Sequence, residues 1–267
     1  MAAKEFKCTV CGYVHKGDKA PDVCPLCQAP ASKFEPVKKE LNTNGNVYTV
    51  VYAAVMVIIV AFLLVFVSDS LKESQQANVI QDTYKQILYS LNIREIGDVS
   101  ATYNSTIEGD YLLNSNGSLK KNDGEFCTSY KTEFKNGRLH VFKAVVNGET
   151  KYVIPVNGLG LWGDIWGYVA LNEDCKTVYG TYFSHASETP GLGGEVAQQY
   201  VQERFIGKKV HNGSDITLTV VKFGQAKNDE SKVDGMTGAT ITSNGVNSML
   251  RTVLEAYKPF ILSNSNK

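Results

Sequence analysis

Val47 to Val67 is a run of 21 residues without a single charge, reading Val-Tyr-Thr-Val-Val-Tyr-Ala-Ala-Val-Met-Val-Ile-Ile-Val-Ala-Phe-Leu-Leu-Val-Phe-Val. As a helix it extends about 31 Å, matching the roughly 30 Å hydrocarbon core of a bilayer. Tyr48 and Tyr52 lie near one end, where aromatic side chains favour the interface. A buried core helix is the competing reading, and the length and lack of charge argue against it. A cleaved signal peptide fits no better, because the run starts late, is too long and lacks a small-residue cleavage site. The expectation is one retained transmembrane helix over 47–67. Lys33, Lys38 and Lys39 precede it, whereas Lys72 and Lys85 follow it. That asymmetry puts the N-terminal piece inside and the larger C-terminal domain outside. No ionisable group interrupts the span, so it offers no ion pathway of its own. With 27 basic and 27 acidic residues in 267, the chain gives no electrostatic reason to bind nucleic acid.

Ahead of the span, Cys8-Thr-Val-Cys11 and Cys24-Pro-Leu-Cys27 form two C-x-x-C pairs separated by twelve residues. Each pair can offer two thiolates to one metal from a tight turn, and two pairs close a tetrahedron. A piece this short has little core, so the metal must supply much of its folding free energy. The inside location and the paired spacing argue against disulfides. Four sulfurs suit iron and zinc alike. The surrounding residues Cys11-Gly12-Tyr13, Cys24-Pro25, Ala29-Pro30 and Lys33-Phe34-Glu35 resemble rubredoxin, most closely the short rubredoxin-like domain attached to rubrerythrins. That resemblance implies one iron, with Phe6, Tyr13 and Phe34 as a small aromatic core. The chain departs from the pattern at Gln28, where rubredoxins usually carry glycine. That glycine takes a positive φ and lets backbone N–H groups reach sulfur, so its loss could alter the potential or mark a zinc ribbon. Residues 1–37 are thus expected to form the metal domain and 38–46 a flexible linker.

Beyond the span, Lys72 to Ser90 has helical periodicity. Short β-branched and aromatic runs follow at 140–146, 151–156, 165–171, 178–183 and 216–221, bounded by turn residues. Asn147-Gly148 reads as a hairpin turn between the first two. Val246, Met249, Leu250, Val253, Leu254 and Tyr257 form one apolar stripe at helical spacing, with Pro259 as the expected stop. A further helix is expected at Val196–Val201. The fold class is α+β: a metal knuckle, one transmembrane helix, and, over 68–267, an antiparallel sheet with flanking helices. Cys127 and Cys175 could pair or stay as buried thiols.

Three loops carry candidate binding residues. Gly158-Leu-Gly-Leu161-Trp162-Gly163 lies between strands. His185-Ala-Ser-Glu188-Thr189-Pro-Gly191-Leu192-Gly193-Gly194 follows another strand. Asp234-Gly-Met-Thr237-Gly238-Ala239-Thr240 leads straight into the apolar-striped helix. Neither glycine-rich loop has the strand–G-x-G-x-x-G–helix context of a dinucleotide site. Glycines permit close backbone approach to a flat ligand, and Trp162 and Leu192 offer apolar surface. A helix N-terminus holds phosphate through unpaired N–H groups. Thr240, Thr242 or Ser243 could equally serve as a cap, although a cap needs one oxygen and not a seven-residue pattern.

In this order the three loops resemble the C subunit of the Na+-translocating NADH:quinone oxidoreductase, from about Val47 to the end, with the rubredoxin-like piece as an added fusion. The resemblance implies FMN joined through its phosphate to Thr240 by a flavin transferase, with Asp234 part of the signal that enzyme reads. It places Glu188, Thr189, Leu192 and Trp162 at the isoalloxazine, helped by backbone at Gly191 and Gly193. Leu161, Thr237, Gly238 and Ala239 complete the candidate set. His185 is either a flavin donor or a polar loop residue. The implied role is a single-pass bacterial inner-membrane electron carrier, its metal domain cytoplasmic and its FMN domain periplasmic, working with the B, D and E subunits and an unidentified cytoplasmic redox partner. The related ferredoxin:NAD oxidoreductase complex, and a membrane sensor carrying flavin and zinc, are the alternatives.

Overall fold

The computed structural model describes residues 4–37, 45–124 and 126–265. Its contacts divide the chain into two units, residues 1–71 and 72–267.

In the first unit, β1 (Glu5–Cys8) is flanked by β2 (Val14–Lys16) and β3 (Phe34–Pro36), both antiparallel to it. Cys8, Cys24 and Phe34 are its buried centre, with Phe6 and Tyr13 packed against them. The aromatic trio expected from the sequence is therefore present, around sulfur rather than around an apolar core. The linker expected at 38–46 lies outside the described residues as far as residue 44. Its last residue, Asn46, already begins α1 (Asn46–Ser90).

Helix α1 runs 45 residues without a break, so the apolar run and the Lys72–Ser90 helix are one element. Val47 to Val67 bury nothing, and the first buried side chain on α1 is Thr83. A helix packed in a soluble core would hide an apolar stripe. This one leaves all its faces apolar and open, and it is the candidate membrane span.

The second unit continues with α2 (Val99–Thr106), capped by Asp98 accepting from Ala101 N–H. Next come β4 (Ile107–Leu113), β5 (Leu119–Lys121), α3 (Tyr130–Lys135), β6 (His140–Val146), β7 (Glu149–Leu159), β8 (Asp164–Asn172) and β9 (Val178–His185). These strands make one antiparallel sheet in the order β5-β4-β6-β7-β8-β9. Asn147 and Gly148 both have positive φ (53° and 82°), as the tight β6–β7 turn requires. Side chains alternate across the sheet. Val141, Ile154, Val156, Val169 and Phe183 join one buried cluster with Met249, Leu250 and Val253. Phe142, Ala144, Val153, Tyr168 and Ala170 join another with Ile87, Leu88, Leu91 and Tyr103. Cys127 packs beside the second cluster and Cys175 inside the first, so the two cysteines serve different layers.

The segment after β9 departs from the expected helix at Val196–Val201. Gly193–Ala197 is a 3-10 turn, Gln198 is extended (ψ 140°), and only α4 (Gln199–Gln202) is α-helical. β10 (Thr219–Val221) and β11 (Lys232–Asp234) form a short parallel pair, so the run expected at 216–221 is a strand only in its second half. α5 (Thr240–Ala256) buries the stripe read from the sequence. It stops ahead of Pro259, as the sequence suggested: α5 ends at Ala256 with Tyr257 as its C-cap, and Pro259 sits in the first turn of a new helix, α6 (Lys258–Ser265), where a missing N–H costs nothing.

Candidate functional site

The turn between β7 and β8, the loop after β9 and the N-terminus of α5 converge on a cleft of about 280 Å³. Leu161, Trp162, Glu188, Thr189, Leu192, Gly193, Gly238, Ala239, Thr240, Ile241 and Thr242 line it. Residues separated by some eighty positions in sequence are thus brought together. Leu161, Trp162, Leu192 and Ile241 are exposed, giving the cleft an apolar rim.

Glu188 is the tie between the three segments. It is 4% exposed. Its Oε1 accepts the Trp162 N–H at 2.8 Å, and its Oε2 accepts the Thr242 hydroxyl at 2.5 Å. Burial opposes its charge, yet these donors and the Leu161 N–H outweigh burial and hold the carboxyl below the usual carboxylate range. The carboxylate also explains two glycines. A Cβ on Gly160 would stand 2.5 Å from Glu188 Oε1, and one on Gly193 2.2 Å from Oε2. Ser187 adds a second link by donating to the Trp162 carbonyl at 3.0 Å.

The approach to α5 is held with equal care. Arg204 Nη1 donates to the carbonyls of Asp234 (3.1 Å) and Gly235 (2.9 Å). Asp234 accepts the Ala226 N–H at 2.8 Å, which fixes the preceding loop. Gly238 turns the chain with φ +75°. Ser243 then reaches back, its Oγ accepting Met236 N–H and donating to the Ala239 carbonyl, each at 2.9 Å. Ala239 occupies the N-cap position and no side chain caps the helix, which leaves first-turn N–H groups facing the cleft. Thr240 is the first helical residue and is exposed, and its hydroxyl has no partner among the described residues. Thr242 and Ser243 are buried with their hydroxyls engaged. Of the three hydroxyls that could have been caps, none caps, and only that of Thr240 is exposed and unengaged among the described residues.

Four expected residues stand outside the lining. His185 Nδ1 accepts the Glu188 N–H at 3.1 Å, so its ring orders the loop behind the cleft. Asp234, Thr237 and Gly191 shape the turns. Sequence reading missed Arg204, Ser187, Thr242 as the partner of Glu188, and Ile241. Arg204 carries no local signal, because its role depends on a carbonyl pair thirty residues away.

In the first unit, Cys8, Cys11, Cys24 and Cys27 bring their sulfurs within 4.8 Å of one another. Amides of Val10 and Cys11 hydrogen-bond Cys8, and those of Leu26 and Cys27 hydrogen-bond Cys24. The Tyr13 and Ala29 amides do the same for Cys11 and Cys27. The two knuckles are therefore equivalent despite Gln28, which takes φ +60° where Gly12 takes +79°. Glutamine thus adopts the left-handed conformation that glycine would supply.

Residues 160–255 match the model of an FMN-binding domain, and residues 6–35 match that of the rubrerythrin rubredoxin-like domain. The C subunit of the Na(+)-translocating NADH-quinone reductase of Haemophilus ducreyi is 30% identical over 234 residues, covering 79% of this chain and 91% of that protein. The chain belongs to this family, NqrC. The crystal structure of the corresponding reductase subunit from Parabacteroides distasonis superposes with TM-score 0.65 at 36% identity, covering 72% of this chain and 96% of that one. The Shewanella oneidensis NqrC structure shares the fold (TM-score 0.59, 21% identity, 70% and 98% covered). For an NqrC-family chain with an FMN-binding domain, the cleft is a fitting holder. Uncapped N–H groups suit a phosphate, the apolar rim suits a flat ring, and the glycines let both approach the backbone. The four sulfurs with their amide donors equally suit a tetrahedral metal ion.

Proposed function

We propose that this chain is a membrane-anchored electron-transfer subunit whose FMN is bound covalently, through its phosphate, to Thr240. The observation that carries the reading is the state of the hydroxyls at the α5 N-terminus: Thr240 is exposed and unengaged, while Thr242 and Ser243 are buried and bonded. The uncapped first turn receives the phosphate, and the rim of Trp162, Leu161 and Leu192 covers the ring. Glu188 and Thr189 hold the loop wall, and Asp234 lies where a flavin transferase reads the segment. The chemistry supplied by bound FMN, and by iron held by Cys8, Cys11, Cys24 and Cys27, is reversible transfer of single electrons. Iron is preferred to zinc on the likeness of residues 6–35 to the rubrerythrin rubredoxin-like domain, since four sulfurs with amide donors suit either metal.

In this account α1 anchors the chain in the bacterial inner membrane with the metal domain cytoplasmic and the FMN domain periplasmic. About 30 Å of hydrocarbon then separates the two centres, too far for direct exchange, so the metal domain serves a cytoplasmic partner. The B, D and E subunits of the reductase are the expected neighbours, and sodium transport and quinone reduction belong to the assembly. The test is flavin fluorescence on a denaturing gel after co-expression with a flavin transferase. Wild type should give a fluorescent band and Thr240→Ala none. A dark wild-type band beside a fluorescent control protein would remove the covalent flavin.

A further inference from the structure

The turn that carries the chain into α5 has little of its own to hold it. Thr237, Gly238 and Thr240 are exposed, and the backbone bond that closes the turn, from Ala239 N–H to the Met236 carbonyl, is long at 3.4 Å. The placing of Thr240 is therefore set at the two ends of the turn. One end is α5 itself, and the other is the chain leaving β11 at Asp234.

That second end is fixed plane by plane. The peptide joining Asp234 to Gly235 gives its N–H to the Val221 carbonyl at 2.8 Å. The next peptide, joining Gly235 to Met236, gives its N–H to Ser243 Oγ at 2.9 Å. The oxygens of both planes go to a single atom, Arg204 Nη1, whose two N–H groups reach them at 3.1 and 2.9 Å. Each plane is thus held at both edges, and neither can rotate without breaking a bond. Gly235 itself is wedged, since a Cβ there would stand 2.7 Å from Ser243 Oγ and 2.9 Å from the Val221 carbonyl oxygen.

Arg204 is given over to this contact. It has no acidic partner among the described residues, so its charge strengthens two bonds to neutral carbonyls. Its guanidinium carbon lies 5.3 Å from the centre of the Tyr200 ring and 5.6 Å from that of Phe223. Both rings are about half exposed, at 51% and 52%, so they add little to the core, while their faces fix the cation. Without the guanidinium, the carbonyl of the buried Gly235 loses its partner.

We propose that Arg204 is a positioning residue for flavin attachment: it locks the two peptide planes that lead into the acceptor turn and so presents the Thr240 hydroxyl. The inference rests on attachment at Thr240. In that step Thr240 Oγ bonds to the FMN phosphorus of flavin adenine dinucleotide (FAD), the pyrophosphate bond breaks, AMP leaves, and the hydroxyl proton passes to a base of the flavin transferase. Such a reaction depends on how well the nucleophile is oriented, and a small misplacement slows it severalfold to a hundredfold.

The test is the rate at which the full chain in detergent, purified without flavin, becomes fluorescent on a denaturing gel when incubated with a flavin transferase and FAD. Arg204→Met keeps the length and the packing between the rings but removes the donors. Its kcat should fall about tenfold or more with KM for FAD unchanged. Arg204→Lys restores a donor and should recover part of the rate. Val153→Ala, on the opposite face of the sheet, lowers stability without touching the turn and should react at the wild-type rate. Melting temperatures show that each variant is folded at the assay temperature. A wild-type rate in Arg204→Met, or equal slowing in Arg204→Met and Val153→Ala, would overturn the role of Arg204 and leave Thr240 as the acceptor. A wild-type chain that stays dark would remove the attachment and this inference with it.

Discussion

Glu188 shows how one side chain can make a cleft. Its two oxygens take donors from the β7–β8 turn and from α5, so the two walls of the site share a single buried carboxylate. Glu188→Gln keeps the volume but replaces one acceptor by a donor facing other donors. A loss of about 1.5–3 kcal/mol in stability is expected, with reduced flavin loading. The pH dependence has a definite sign. The carboxyl is held below its ordinary value, so its stabilisation is complete above the unfolded value of about 4.3 and is lost as pH falls through the folded one. Thermal melts of wild type should fall more steeply on acidification in that window than those of Glu188→Gln, and parallel slopes would mean that this ionisation does not hold the cleft. Glu188, Trp162 and Thr240 were legible as candidates because they sit in motifs. Their division of labour was not, since a motif does not say which oxygen is buried. At Gln28 the sequence showed a departure from the glycine pattern but not its backbone, which keeps the left-handed turn because the fold of the knuckle overrides the side chain's preference.

At the scale of elements, α5 and the β7–β8 hairpin must meet closely for the cleft to exist. A Cβ on Gly245 would lie 2.3 Å from the Leu159 carbonyl oxygen, and one on Gly158 2.7 Å from Met249 Cβ. Gly245→Ala must push the helix off the strand, and overpacking of this kind costs about 1–3 kcal/mol. Melting temperature and flavin loading should fall together; an unchanged melt with full loading would show that α5 relaxes freely. The stripe on α5 and the strands β6 to β9 could be read ahead because their periodicity runs long enough to exceed local noise. β4 could not, since Gly109 and Asp110 interrupt it and the ladder shifts register between Ile107 and Gly109. β11 is three residues long, below what alternation can reveal. The break at Gln198 splits a stretch whose composition alone reads as helix.

For the whole molecule, the two units have different sources of stability. Residues 72–267 hold two apolar clusters on the two faces of one sheet, enough to fold without a metal. Residues 4–37 have Cys8, Cys24 and Phe34 as their only buried apolar side chains among those described, so the metal must carry that fold. Chelation should therefore open the amides of β1 to β3 to hydrogen exchange while β6 to β9 keep their protection; equal protection before and after would mean that the knuckle domain folds on its own. The apolar run of α1 and the cysteine pairs made this division visible in the sequence, because both are chemical demands that no tertiary context removes. The central claim concerns the hydroxyl that takes the flavin. The direct measurement is mass spectrometry of the tryptic peptide from Val233 to Arg251, taken from chain matured with a flavin transferase. This account predicts a mass increase of one FMN less one water, localised by fragmentation to Thr240. An unmodified peptide, or FMN on Thr237, Thr242 or Ser243, would contradict it.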